Sequence, residues 1–127
     1  MSDNDDRRTM DRVPIPRGSV FYKPEAQMTI LNRYSGPEVL VDISKGGAGF
    51  IVSHDLNKND RIRVKFQLPG EEPITLHGHV KWVSSEDILG KNRIGMQFSP
   101  FGDQGKYNAY HKLELLGQIG DKFIDIQ

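Results

Sequence analysis

Residues 61–68 read Arg61-Ile62-Arg63-Val64-Lys65-Phe66-Gln67-Leu68, with an apolar side chain at every second position. A period of two is typical of a β-strand that buries one face and leaves the other in water. The next residues, Pro69-Gly70-Glu71-Glu72-Pro73, contain the prolines and the glycine that favour a turn. A second alternating strand follows, with Ile74, Leu76, Val80 and Trp82 on one face and Thr75, His77, His79 and Lys81 on the other. The stretch therefore predicts a β-hairpin.

Short apolar segments elsewhere in the chain indicate further strands. They are Met28 with Ile30, Val39 with Val41 and Ile43, Phe50 with Val52, and Ile94 with Met96 and Phe98. Together with the hairpin they predict an all-β fold of about six antiparallel strands. A small sheet with open edges would pair with other chains, so the number and spacing of the strands favour a closed, six-stranded antiparallel β-barrel.

The apolar pattern changes to helical spacing after Pro100. The recurring positions are Tyr107, Tyr110, Leu113 and Leu116. They predict one C-terminal α-helix on or beside the barrel, with Asp103 as its N-cap and Gly117 as its stop. For Phe123, Ile124 and Ile126 the pattern leaves open a last short strand or a docked tail.

The chain has 127 residues, with Lys plus Arg and Asp plus Glu balanced at 17 each, and no cysteine. Its length suits one domain, and we expect a flexible arm over residues 1–12, a barrel over 13–102 and a helix with a tail over 103–127. The balanced charge offers no net positive field to DNA or RNA, so any anion site must be local. The absence of cysteine excludes thiol catalysis and cysteine-ligated zinc. Because no apolar run resembles a membrane span or a leader, we expect a soluble, cytoplasmic protein that binds no membrane.

Three arginines stand close together near the N-terminus, at Arg7, Arg8 and Arg12. Arginine offers a planar fork of donors that binds a phosphate through two hydrogen bonds and stacks on a base. The cluster therefore suits a compact anion. The alternative is a solvated tail whose charge is cancelled by its acidic neighbours. These neighbours are Asp3, Asp5, Asp6 and Asp11.

A second polar group lies where a predicted strand ends. Asp42 and Ser44 are two residues apart, so on strand geometry their side chains share a face. The Asp42 carboxylate can accept the two donors of a guanine edge, and the Ser44 hydroxyl can add a third contact. Gly47 permits a positive φ or a close backbone approach. The alternative is that Asp42 and Ser44 only bond their own turn.

Other kinds of site find little support in the sequence. Gly46, Gly47 and Gly49 precede a strand, whereas glycine loops that cradle phosphate open a helix. His77 and His79 share a strand face, but no further ligand is spaced to complete a metal site. No nucleophile motif and no paired acid and base are visible. We therefore expect no metal, no cofactor and no catalysis.

The two polar segments together resemble the hallmarks of the PilZ domain family, which are Arg-x-x-x-Arg and, further along the chain, Asp/Asn-x-Ser-x-x-Gly. Here they read Arg8-Thr9-Met10-Asp11-Arg12 and Asp42-Ile43-Ser44-Lys45-Gly46-Gly47. The strand Val80-Lys81-Trp82, the strand over residues 94–98 and the helix after them are also similar. The resemblance covers residues 7–116.

This resemblance implies a six-stranded barrel that binds the bacterial dinucleotide cyclic di-GMP. It assigns Arg8 and Arg12 to the phosphates and guanines of the ligand. The other side of the ligand falls to Asp42, Ser44, Gly46 and Gly47. In the family, an arginine directly before the first motif accompanies a stacked pair of ligand molecules, so Arg7 suggests that stoichiometry. Closure of the arm over the ligand would then signal to an unidentified effector protein.

Two alternatives remain open. In the first, the barrel is a protein-interaction module that works without a ligand. In the second, it binds single-stranded nucleic acid. The second ranks last, because such binders need a basic groove with interleaved aromatic side chains, and the outward faces of the predicted strands carry few aromatics.

Overall fold

The structure, a computed structural model, describes residues 13–14, 17–25, 33–53, 56–88, 91–103, 105 and 107–126. In these ranges the chain forms β1 (Val13–Pro14), β2 (Ser19–Pro24), β3 (Ser35–Ile43), β4 (Gly47–Val52), β5 (Arg61–Gln67), β6 (Ile74–Ile88), β7 (Lys91–Phe98) and α1 (Tyr110–Ile126).

Strands β2 to β7 close into one barrel. Neighbouring strands are antiparallel in the order β3-β2-β5-β6-β7-β4, and a pairing of β3 with β4 completes the ring. Each of the six strands thus has a partner on both sides, which protects its edges. The two-residue β1 is added to β3 outside the ring. The predicted six-stranded antiparallel barrel with one C-terminal helix is therefore confirmed.

The core lies inside the barrel and follows the alternation seen in the sequence. In β5 the inward side chains are Ile62, Val64 and Phe66, all fully buried. Two ring contacts link strands across the core: Phe66 meets Phe98 edge-on with centroids 5.9 Å apart, and Tyr22 lies 6.1 Å from Phe50. Each such side chain contributes about 1.5–3 kcal/mol on burial, so the packed interior is the main source of stability.

The predicted hairpin is confirmed, with Phe66 paired to Ile74 and with Gly70 at a φ of 76° in the turn. The sequence does not predict β2, because Val20, Phe21 and Tyr22 are apolar in succession and show no period of two. The predicted strand of Met28 and Ile30 lies outside the described residues.

The first part of β6 has no strand on one side, because β7 pairs only with its later part. The buried side chain of Asn108 takes that place. Its Oδ1 accepts the N–H of His77 at 2.8 Å, and its Nδ2 donates to the carbonyls of His77 and Ser99 at 3.1 and 3.0 Å. The Nζ of Lys112 donates to the Thr75 carbonyl at 2.6 Å. Residues that follow β7 therefore satisfy backbone groups that would otherwise be open to pairing.

The helix α1 begins and ends later than predicted. It starts at Tyr110, so Asp103 is not its N-cap, because Ser99 and Asn108, on either side of Asp103 in the sequence, cover the open part of β6. Gly117 does not stop it. An interior glycine costs a helix about 1 kcal/mol, and burial of Leu116 and Ile119 offsets that cost. Residues 123–126 belong to the helix and form neither a strand nor a separate tail.

A buried carboxylate connects three parts of the barrel wall. Glu38 of β3 accepts the N–H and the hydroxyl of Ser53 at 3.0 and 2.6 Å, and it lies 3.0 Å from the Nζ of Lys91. Burial alone would raise the pKa of Glu38. The hydrogen bonds from Ser53 and the charge of Lys91 outweigh burial, so the pKa lies below its ordinary value.

Candidate functional site

Asp42 lies near the end of β3 on the outside of the barrel. A β-bulge between Leu40 and Asp42 shifts the register against β4, so that Asp42 pairs with Gly49. Its Oδ1 accepts the N–H of Gly49 at 3.1 Å, and its Oδ2 lies 3.8 Å from a guanidinium nitrogen of Arg93. These contacts orient a carboxylate whose side chain remains 17% exposed.

The turn after β3 is built around Ser44. Its Oγ accepts the N–H groups of Gly46 and Gly47, both at 3.2 Å, and its own N–H donates to the Gly47 carbonyl at 2.8 Å. This is the turn-bonding arrangement that the sequence leaves as the alternative. Because β3 ends at Ile43, Ser44 is not on a strand, and the prediction that Asp42 and Ser44 share a strand face is wrong. Asp42 is one of the last two residues of β3, and Ser44 lies in the turn that follows.

Gly47 is required by a close backbone approach, not by a positive φ. It pairs with Gln97 of β7, and a Cβ at Gly47 would overlap the carbonyl oxygen of Met96. The carbonyl of Gly46 accepts the N–H of Phe98 at 2.9 Å. The two glycines therefore attach the turn to β7.

Trp82 lies on the outside of the barrel, so the prediction that it shares a face with Val80 is wrong. A β-bulge separates the two residues: Val80 pairs with Met96, and Trp82 pairs with Gly95. The neighbours of Gly95, Ile94 and Met96, are buried in the core, so the missing side chain of Gly95 would point outward. A Cβ there would overlap the indole ring, which shows that the ring lies across Gly95.

One row of paired residues crosses the outer surface of four strands. It runs through Asp42 in β3, Gly49 in β4, Gly95 in β7 and Trp82 in β6. We call it the outer row. Its two central positions carry no side chain, and with strands about 4.8 Å apart it spans about 14 Å. A carboxylate at one end and an aromatic ring at the other suit a ligand that carries planar bases with hydrogen-bond donors.

Arg93 is a candidate site residue that the motifs did not identify. It lies on β7 opposite Ile51, next to the outer row, with its side chain 37% exposed. Its buried Nε has no hydrogen-bond partner in the part of the chain that the structure describes. Period two could have found it, because a strand with Ile94 and Met96 inward turns Arg93 outward.

The N-terminal arginine cluster, Arg7, Arg8 and Arg12, lies outside the residues that the structure describes. The chain after it is described at β1, where Val13 pairs with Ile43 and Pro14 pairs with Asp42. The backbone that follows the first motif is therefore joined to the strand that carries the second.

Other candidate groups do not come together as sites. Among the described residues, no three His, Cys, Asp or Glu side chains are placed to hold a metal ion. His77 instead approaches Glu25, with its Nδ1 3.3 Å from Oε2. Within the same residues no helix has the length and hydropathy needed to cross a membrane.

Residues 6–109 match the family model described as the PilZ domain. Among solved structures, the chain is similar to the PilZ domain with c-di-GMP of YcgR from Escherichia coli, with a TM-score of 0.68 and 13% identity over 94% of this chain and 92% of that chain. It is also similar to the MrkH–c-di-GMP complex of K. pneumonia, with a TM-score of 0.67 and 17% identity over 93% of this chain and 52% of that chain. A third similar structure is the Bacillus subtilis inhibitor of motility MotI/DgrA, with a TM-score of 0.64 and 16% identity over 88% of this chain and 49% of that chain.

This chain thus spans about half the length of the MrkH and MotI chains. At these identities the likeness to solved structures shows the fold. No curated protein sequence matched the chain.

Proposed function

Because this chain belongs to the PilZ domain family, we propose that it is a cytoplasmic receptor domain that binds cyclic di-GMP and signals to a partner protein. PilZ is a family of cyclic di-GMP receptors whose domains are generally not catalytic. The observation that carries the proposal is the pairing of β1 with β3. Arg12 is bonded to Val13, Val13 pairs with Ile43, and Ile43 stands between Asp42 and Ser44.

The proposed roles follow from the chemistry of the ligand. Cyclic di-GMP presents two phosphates to the forked donors of Arg8 and Arg12. It also presents guanine edges, whose donors match the Asp42 carboxylate and the Ser44 hydroxyl. Gly46 and Gly47 hold the turn against β7, so their role is to position the two polar residues.

The outer row extends this site beyond the two motifs. Gly49 and Gly95 carry no side chain between Asp42 and Trp82, and the Trp82 ring, which lies across Gly95, offers its outer side as a surface on which a base can stack. Arg93 adds a half-exposed cation beside the row. The site therefore combines a carboxylate, an aromatic ring and a cation on one face of a barrel whose chain has no net charge.

We also propose that ligand binding orders the arm over residues 1–12. A ligand shifts an equilibrium only through different contacts in the two states, and arginines that reach the phosphates only in the closed arm supply that difference. Arg7, which precedes the first motif, is proposed to allow a stacked pair of ligand molecules. The closed arm would then present a new surface to the effector protein.

Amide chemical shifts measured during a titration with cyclic di-GMP would map the site. We expect saturable shifts at Asp42 to Gly49 and at Gly95, and new, ordered signals from Arg7 to Arg12. GMP at the same concentration is the control, because it lacks the second phosphate and guanine. Shifts that are equal with GMP, or that lie away from the outer row, would contradict the proposal and favour a barrel that works without this ligand.

A further inference from the structure

The outer face of β2, β5 and β6 carries a concentration of cations. Across these strands Lys23 pairs with Arg63, and Arg63 with His77. In the next row Phe21 pairs with Lys65. We use the name basic face for Arg61, Arg63 and Lys65 of β5 together with Lys112 of α1.

This basic face lies on the side of the barrel away from the outer row. In the ring order β3-β2-β5-β6-β7-β4, strand β5 is three steps from β4 in either direction. The outer row is centred on β4 and β7, whereas three of the four cations of the basic face project from β5. A ligand on the outer row therefore leaves the basic face uncovered.

The positive charge of the basic face is only partly neutralised. Glu25 lies 3.4 Å from Arg61 and 3.3 Å from His77. In the described part of the chain, no carboxylate lies within ion-pair distance of Arg63, Lys65 or Lys112. The buried Nε of Arg63 also has no hydrogen-bond partner there. Burial lowers the pKa of Lys112, and the nearby positive charge of Arg63 lowers it further.

Aromatic rings hold part of this cluster in place. The Nζ of Lys65 lies 5.1 Å from the ring centroid of Phe21 and 5.2 Å from that of Tyr34. The Nζ of Lys23 lies 4.5 Å from the Tyr34 centroid. The contacts to Lys65 fix its ammonium group without neutralising it. The face is therefore prepared for a negatively charged partner that also brings apolar contact.

We infer that the basic face binds an acidic segment of a partner protein. Carboxylate side chains of the segment would form ion pairs with Arg63, Lys65 and Lys112. The aliphatic parts of its side chains would pack against the half-buried rings of Phe21 and Tyr34. A protein segment fits better than nucleic acid, because the chain carries no net charge to attract a long polyanion. The inference rests on the proposed function, because the acidic segment would belong to the effector protein that the receptor is proposed to engage.

A short fluorescein-labelled oligo-glutamate peptide is a suitable probe, with fluorescence anisotropy as the readout and oligo-lysine as the control peptide. The measurement is made on the full chain, with and without saturating cyclic di-GMP. We expect the glutamate peptide to bind in both conditions. Lys65→Glu should weaken it by about tenfold or more, the equivalent of one ion pair of about 1.4 kcal/mol. Lys58→Glu makes the same charge change in the exposed turn before β5 and should leave binding within about twofold.

Amide shifts of the parent chain provide a second readout that needs no variant. They should move on β2, β5 and β6 when the peptide is added. Equal binding by Lys65→Glu and Lys58→Glu, shifts confined to the outer row, or tighter binding of a single-stranded oligonucleotide than of the peptide would each overturn the inference. Peptide binding without any dinucleotide binding would support the inference about the basic face and contradict the proposed function. Dinucleotide binding without peptide binding would support the proposed function and contradict the inference.

Discussion

Asp42 and Trp82 lie at the two ends of one row of paired residues, separated by Gly49 and Gly95 on the outside of the barrel. Each end of the row depends on a β-bulge, one between Leu40 and Asp42 and one before Trp82. A bulge adds one residue to a strand and so changes which side the following side chains face. The carboxylate and the indole thus lie on the same outer surface, because a bulge in each strand interrupts the alternation of inward and outward side chains.

The position of Trp82 predicts a fluorescence response to the ligand. A base stacked on the indole replaces water there, so the tryptophan emission should change saturably as cyclic di-GMP is added. Trp82→Ala should weaken binding by about 1–3 kcal/mol, the usual contribution of one stacked base. Constant emission at ligand concentrations that saturate the calorimetric signal would contradict a site on the outer row.

Gly47→Ala should destabilise the fold, because the added Cβ meets the backbone carbonyl of Met96. We expect the free energy of unfolding in urea to fall by about 1–3 kcal/mol, as in other overpacked sites. Gly105→Ala is the matched control, because among the described residues no atom lies within 4 Å of the position of its added Cβ. It should change stability by less than about 0.5 kcal/mol. Equal stability of the two variants would show that Gly47 is not needed for the approach of the turn to β7.

Glu38 should make stability depend on pH on the acid side. Its folded-state pKa lies below the ordinary value of 4.5, because the hydrogen bonds from Ser53 and the charge of Lys91 outweigh burial. The stabilisation is therefore complete above the unfolded-state pKa and is lost as the pH falls through the folded-state pKa. Glu38→Gln should cost about 1–3 kcal/mol at neutral pH, and its difference from the parent should shrink in acid. The exposed Glu72→Gln serves as the control. A cost for Glu38→Gln that does not change with pH would be contrary to this explanation.

Asn108→Ala should be strongly destabilising. The side chain is 1% exposed and satisfies the N–H and carbonyl of His77 and the carbonyl of Ser99. Its loss removes the side-chain partners of the His77 N–H and the Ser99 carbonyl, while the His77 carbonyl keeps the N–H of Ser99. We expect the free energy of unfolding to fall by about 2–4 kcal/mol. Asn57→Ala, at an exposed turn position, should change it by less than about 0.5 kcal/mol. If the two asparagine variants were equally stable, the open part of β6 would not depend on Asn108.

Much of the barrel could be predicted from the sequence, because burying one face of a strand requires alternation. Ile62, Val64 and Phe66 show it clearly, and the hairpin follows from the turn residues after them. The outward turn of Trp82 could not be predicted, because a bulge leaves no mark in the residue types. The predicted start of α1 was wrong, because the need to cover the open part of β6 overrides the local capping preference of Asp103.

The candidate site was predicted in part. The motif places Asp42, Ser44 and Gly47 close together in the chain. Ser44, however, bonds its own turn, and Gly47 is required because the backbone of β7 lies too close for a Cβ. Arg93 belongs to the same surface but stands far from both motifs in the sequence. Only the pairing of β4 with β7 brings it within 3.8 Å of Asp42. The roles of the N-terminal arginines stay a prediction.

Calorimetric titration of cyclic di-GMP into the parent chain, Arg12→Ala and Asp42→Ala tests the central claim most directly. The parent should give saturable heat. Each variant should bind at least about tenfold more weakly, because a hydrogen bond to a charged group contributes about 1.5–3 kcal/mol. Both variants should still unfold cooperatively, because neither change touches the buried core of the barrel. An absence of heat with the parent, or parent-like binding by both variants, would contradict a cyclic di-GMP site formed by the two motifs.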